Sequence, residues 1–158
     1  MIEITIASEP IDTPDAAQLL AELSSVLESI TGNNGASSFD SGEMEHPRAC
    51  FAMARSIDGA ALGCGAILPL DEYTAEMKRV FARDQHSGVG RQILCYLEEK
   101  AIMLGFERIV LETRMINQKA VSFYLRNGYT IIPNYGKYAG RDEAVCFEKK
   151  LTPVSDMS

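Results

Sequence analysis

The sequence predicts a mixed α/β (α+β) domain: a largely antiparallel, twisted sheet of about seven strands with helices on both faces. Three observations lead there. Strand-like runs, alternating or continuously apolar, recur along the chain. Segments with apolar residues at helical spacing start or stop on capping residues. The elements follow in the order strand, helix, loop or short helix, three strands, helix, strand, helix, strand, strand.

Ile2, Ile4 and Ile6 alternate with polar residues and predict the first strand. Thr13-Pro14-Asp15 supplies a cap, a proline at the first helical position and an acid in the first turn. Leu19, Leu23, Val26, Leu27 and Ile30 form one apolar face of that helix, and Gly32 ends it. Residues 32–47 are rich in Gly, Asn, Ser and acids. A binding lid, a short irregular helix and disorder all fit such a stretch. Residues 49–56 and 61–70 flank Asp58-Gly59 as a hairpin.

Residues 75–82 predict a further strand with an irregularity. Ala75 and Met77 share a face, but the next large apolar residue is Val80 rather than residue 79. Such a phase slip is the signature of a β-bulge, or of a strand end moving to the surface. Val89, Ile93, Leu97, Ala101 and Leu104 form a helix stripe stopped by Gly105. Residues 108–113 read as a central strand. Asn117 caps a short helix whose Val121, Tyr124 and Leu125 share a face. Residues 128–132 and 144–150 are the last two strands, joined by an aromatic loop from Pro133 to Tyr138. One domain over residues 1–152 is expected, with a frayed tail at 153–158.

The chain has 158 residues, a formal net charge of -7 and 46% hydrophobic residues. It is long enough for a full core. Its charge disfavours nucleic acid and anionic membranes and mildly favours cationic partners such as amines. Cys50, Cys64, Cys95 and Cys146 have no metal-binding spacing and read as small buried hydrophobes in a reducing compartment. No metal site is expected. The start lacks the basic region of a signal peptide, and no apolar run spans a membrane, so a cytoplasmic location is expected.

The most telling feature is Gln85-His86-Ser87-Gly88-Val89-Gly90, between a predicted strand and a predicted helix. Glycines there let the backbone approach a phosphate, and the helix N-terminus offers unpaired N–H groups and a positive dipole end. No Lys-Ser or Lys-Thr follows, which excludes the nucleoside-triphosphate loop. Ile93 stands where the dinucleotide fingerprint has its third glycine. A pyrophosphate cradle of another kind and a plain glycine turn both remain.

Together with the element order, three motifs resemble the GNAT acyltransferase superfamily. Gln85-x-x-Gly88-x-Gly90 is similar to its acyl-CoA pyrophosphate motif. Glu76-Met77-Lys78-Arg79-Val80-Phe81-Ala82 is similar to the strand before that motif. Asn117-x-x-Ala120-x-x-x-Tyr124-x-x-x-Gly128-Tyr129 is similar to the second half-motif. The likeness covers nearly the whole chain and is strongest over residues 75–151.

The resemblance implies a GNAT-like fold and transfer of an acetyl group from acetyl-CoA, as co-substrate, to a primary amine of a small molecule or peptide. Backbone N–H groups from Ser87 to Gln92, including those of Gly88, Val89, Gly90 and Arg91, would cradle the pyrophosphate, with Gln85 bonding within the loop or to phosphate. Val80, or a neighbour, would polarise the thioester carbonyl through its N–H. Val80 and Ala82 would pair with the pantetheine amides, and Asn117, Ala120 and Ser122 would flank that arm. Tyr124 would give a proton to the departing sulfur; otherwise it packs helix on sheet. Glu76 and Glu112 are candidate bases, with Glu76 preferred because it lies on the strand with the phase slip. The 32–47 loop, Asp71-Glu72-Tyr73 and the loop from Asn134 to Tyr138 would form an acceptor pocket suited to a cation. A domain that binds acyl-CoA without turnover is the alternative. A monomer and a homodimer both remain open.

Overall fold

The computed structural model describes residues 3–36, 39–83 and 88–152. Among the described residues seven strands form one sheet: β1 (Ile4–Ser8), β2 (Cys50–Ser56), β3 (Ala61–Pro69), β4 (Thr74–Ala82), β5 (Arg108–Arg114), β6 (Thr130–Ile132) and β7 (Ala144–Lys150). Their order is β1-β2-β3-β4-β5-β7-β6. Every neighbouring pair is antiparallel except β4 and β5.

Three α-helices among the described residues cover the sheet: α1 (Pro14–Thr31), α2 (Val89–Met103) and α3 (Gln118–Arg126). Thr13 caps α1 by accepting the Ala16 N–H at 3.2 Å, and Gly32 ends it at φ 79°. The left-handed conformation there suits glycine. The alternation of β2 divides the core. Phe51 and Met53 face α1 with Leu19, Cys64 and Ala66. Ala52 and Ala54 face the other way and pack with Ile67, Met77, Ile93 and Leu97, on the α2 side. Both faces are therefore buried, as the long apolar β2 and β3 require.

In the described part of residues 32–47 the short irregular helix among the expected readings is present. Asn33 and Asn34 side chains accept the N–H groups of Gly35 and Ala36, and a 3-10 turn follows at Ser41–Glu45 with Asp40 as its cap. Phe39 and Met44 anchor the segment against the α1-side core.

Two expectations need correction. Leu125 is 48% exposed, while Val121, Phe123 and Tyr124 pack on the core. Phe123 takes the place because its ring leans on Gly90 of α2; a Cβ added there would lie 3.1 Å from Phe123 Cζ. Cys95 is exposed, unlike the buried Cys50, Cys64 and Cys146. It sits half a turn from the stripe of Ile93 and Leu97, and the helical period turns it to solvent.

Gly63 marks a close approach in the core. A Cβ there would lie 2.6 Å from the Phe81 carbonyl oxygen and 2.9 Å from Ile93 Cδ1. Backbone oxygen cannot move aside as a side chain can. Gly63→Ala is expected to destabilise the protein by about 2 kcal/mol, read as a lower urea midpoint at unchanged slope.

Candidate active site

The parallel pair β4 and β5 is joined only at Thr74–Arg108, Ala75–Ile109 and Glu76–Val110. Beyond Glu76, β4 runs on to Ala82 and β5 to Arg114 without further pairing. The sheet splits there. A cleft of about 1160 Å³ occupies the split, bounded by α1, the two strand edges, the N-terminus of α2 and one side of α3.

On β4 the pairing with β3 shifts register. Cys64 pairs with Phe81 and Ala66 with Lys78, so Gly65 alone faces Arg79 and Val80. This is a β-bulge, one of the two readings that the phase slip left open. A bulge disrupts the ladder and leaves its extra residue unpaired. Arg79 lies at φ 59°, the one non-glycine among the described residues with positive φ. Glu76, Val80 and Ala82 line the cleft along with Arg79.

At the end of β4, Gln85, His86 and Ser87 lie outside the described residues. Gly88 caps α2 at φ 80° with no side-chain hydrogen bond. The Gln92 N–H is used by the Gly88 carbonyl at 3.2 Å, so the cradle expected to reach Gln92 stops one residue earlier. The N–H groups of Val89, Gly90 and Arg91 are the first-turn donors that a helix leaves without internal partners. Val89 itself is a core side chain, 1% exposed, and offers only backbone. Gly88, Gly90 and Arg91 line the cleft. Gly90 also serves packing, by admitting Phe123.

Asn117 caps α3 by accepting the Ala120 N–H at 3.3 Å. Asn117, Ala120, Ser122 and Tyr124 all line the cleft. Two cations were missed in the sequence: Lys119 and Arg126, seven residues apart on α3, also line it. Two helical turns separate them, so they share a side, and that spacing was the available signal. With Arg91 they give an acidic protein a basic rim where phosphates would lie.

Tyr124 stands in an aromatic cluster, its ring 5.6 Å from Tyr129 and 5.8 Å from Phe147. Among the described residues its hydroxyl has no hydrogen-bond partner. Burial pushes its pKa above the ordinary phenol value, which keeps the proton on the oxygen.

The two strand carboxylates differ. Glu76 Oε2 accepts a 2.6 Å hydrogen bond from the Tyr135 hydroxyl, and Oε1 lies 3.5 Å from Lys78 Nζ. Glu112 has a buried Oε2 with no hydrogen-bond partner, and Arg114 Nε is 3.6 Å away. Burial is the main cause that raises the Glu112 pKa; Arg114 opposes it and the Glu76 charge adds to it. Both carboxylates and Tyr138 line the cleft. The Asp71-Glu72-Tyr73 turn does not.

A split sheet with a bulged edge, a bare helix N-terminus and a basic rim defines a slot for an extended, phosphate-bearing thioester. The family model of the acetyltransferase (GNAT) family matches residues 20–129, and the chain belongs to that family. The IAA acetyltransferase of Azospirillum brasilense is 27% identical over 154 residues, covering 96% of this chain and 100% of that protein. A Klebsiella pneumoniae structure assigned as an acyl-CoA N-acyltransferase is 29% identical, with TM-score 0.79 over 94% of this chain and 98% of that one. A GNAT family acetyltransferase from Elizabethkingia anophelis, solved with acetyl-CoA bound, shares the fold at TM-score 0.68 and 18% identity, over 94% and 98% of the two chains. The protein is an acetyltransferase and acetyl-CoA is its co-substrate. Among the described residues no helix is long and apolar enough to cross a membrane, and no cluster of side chains could hold a metal ion.

Proposed function

We propose that the protein transfers the acetyl group of acetyl-CoA to a primary amine of a small molecule or peptide, by direct attack in a ternary complex. One observation carries this: Tyr124, whose hydroxyl has no hydrogen-bond partner among the described residues, and Glu112, whose buried Oε2 accepts no hydrogen bond and has only Arg114 Nε 3.6 Å away, line the same cleft at the split of β4 and β5. Acetyl-CoA supplies the activated acyl carbon and a thiolate leaving group. The N–H groups of Gly90 and Arg91, with the Arg91, Lys119 and Arg126 side chains, hold phosphate. Val80 and Ala82 pair their backbone with the amides of the pantetheine arm, flanked by Asn117, Ala120 and Ser122. The N–H of Val80, or of its bulge neighbour, polarises the thioester carbonyl, a contribution of about 3 kcal/mol per donor.

An alkylammonium has a pKa near 10 and must lose a proton before it attacks. Glu112 is the better base, because its Oε2 accepts no hydrogen bond and its raised pKa favours taking a proton. Glu76 is committed to Tyr135 and Lys78, and its charge helps hold an incoming ammonium. Tyr124 returns a proton to the departing sulfur. Among the described residues no cysteine lines the cleft, which favours direct attack over an acylated enzyme.

The test is to supply acetyl-CoA with a panel of primary amines, following thiol release and N-acetyl product by mass spectrometry. Release that requires amine, with intersecting initial-rate plots, is expected. Release that is equal without amine would make the protein a thioesterase and overturn the reading.

A further inference from the structure

We propose that Arg79 forms a carboxylate subsite at the acceptor end of the cleft, so that the preferred acceptor is a primary amine bearing a carboxylate on an apolar body. This rests on amine acetylation as proposed above, and departs from the purely cationic acceptor that the acidic loops suggest.

Arg79 occupies the bulge of β4 at φ 59°. A non-glycine residue there is strained by about 1–3 kcal/mol, and such strain persists only where surroundings over-determine it. The side chain is what is held. Nη2 donates to the Leu20 carbonyl at 3.3 Å and to Ser24 Oγ at 2.6 Å, and Nη1 donates to the Asn34 carbonyl at 3.3 Å. The Phe39 ring lies 6.0 Å from the guanidinium carbon. These partners fix the guanidinium but are all neutral. Among the described residues no carboxylate pairs with it, and Nε is buried with no partner.

The neighbouring Cys64 cannot supply the missing charge. Its thiol donates to the Arg79 carbonyl at 3.5 Å, and burial pushes its pKa up to about 12, so it stays neutral. Burial works against the charge on Arg79 as well, yet a guanidinium does not give up its proton in proteins. A half-buried, rigidly held cation with no counterion among the described residues is a standing electrostatic imbalance, which an anion entering the cleft relieves.

The surroundings set the rest of the acceptor. Arg79 lines the cleft beside Leu23, Val26, Leu27 and Ile30 of α1 and Phe39. Val26 is 39% exposed although it belongs to the apolar stripe of its helix. That wall is apolar and opposite in character to Glu76 and Glu112, which also line the cleft. An ammonium facing the carboxylates, an apolar body along α1 and a carboxylate on Arg79 describe an amphipathic amino acid.

The test uses matched pairs that differ only in the carboxylate: phenylalanine against 2-phenylethylamine, leucine against isopentylamine, and 6-aminohexanoate against pentylamine. For the wild-type protein the acid of at least one pair should be preferred by about tenfold or more in kcat/KM, the worth of one charge-assisted contact. Arg79→Gln should bring that ratio close to one, and Arg79→Lys should restore part of it. The ratio is internal, so partial loss of folded protein lowers both members equally. Acetylation of the amines without preference for any acid overturns the carboxylate subsite and leaves amine acetylation standing. Acetylation of no member of the panel overturns the subsite too, and then thiol release with other amines decides separately whether amine transfer stands. A preference that survives Arg79→Gln unchanged also overturns the assignment to Arg79.

Discussion

Tyr124→Phe is expected to lower kcat by about 10²-fold or more, the range of a positioned general acid, while leaving KM for acetyl-CoA nearly unchanged. The substitution removes one oxygen and its proton. Packing against Tyr129 and Phe147, at 5.6 and 5.8 Å, is retained by the phenyl ring. The hydroxyl has no partner among the described residues, so its loss leaves no buried group unsatisfied. Stability should therefore shift by no more than about 0.5 kcal/mol. A thioester with a better leaving group, such as a nitrothiophenyl acetate, needs no proton on sulfur. The variant should approach the wild-type rate with it. That rescue separates an acid from a packing residue, because a packing defect would slow both donors alike. If kcat with acetyl-CoA is unaffected at every pH, Tyr124 only holds α3 on the sheet.

The contrast between Tyr124 and Leu125 shows what a sequence pattern carries and what it does not. Both stand on the apolar side of α3 by spacing alone. Only the absence of a Cβ at Gly90, which admits Phe123, rotates the packed side away from Leu125. That is a contact between two helices far apart in sequence, which no local periodicity contains. The caps at Thr13, Gly32 and Asn117 were legible because they are local hydrogen-bonding devices. The phase slip was legible because a two-residue period registers it, and the pairing with β3 identifies it as a bulge.

The α1 stripe was legible as apolar but not as divided. Leu19 is fully buried in the core, Leu23 is buried but already borders the cleft, and Val26, Leu27 and Ile30 line the cleft beyond it. Where the sheet ends beneath a helix is a tertiary fact. The same holds for the two carboxylates. Glu76 was preferred from its place on the bulged strand, but Tyr135, 59 residues away, engages it. Arg79 combines a left-handed backbone conformation with neutral partners far away in sequence, and no local pattern contains that combination.

Glu112→Gln is expected to lower kcat/KM by about 10²-fold or more and, at the same time, to raise the melting temperature by a few degrees at neutral pH. The two effects share one cause. Burial raises the pKa of Glu112, so folding favours its protonated form. The stability contributed by that form is complete below the ordinary carboxylate pKa and is lost as pH rises through the raised folded value. Above it, the wild-type protein holds a buried charge with an oxygen that lacks a hydrogen bond. Glutamine carries no charge, so the gap in melting temperature between variant and wild type should open across that pH window and then level off. Glu76→Gln should behave in the opposite way. It weakens the 2.6 Å bond from Tyr135 and removes the charge facing Lys78, which lowers stability at neutral pH. Thermal melts of the two variants across pH, alongside their rates, assign the base. A variant at Glu112 that is less stable than wild type at neutral pH, or that keeps its rate while Glu76→Gln loses it, would exchange the roles of the two carboxylates.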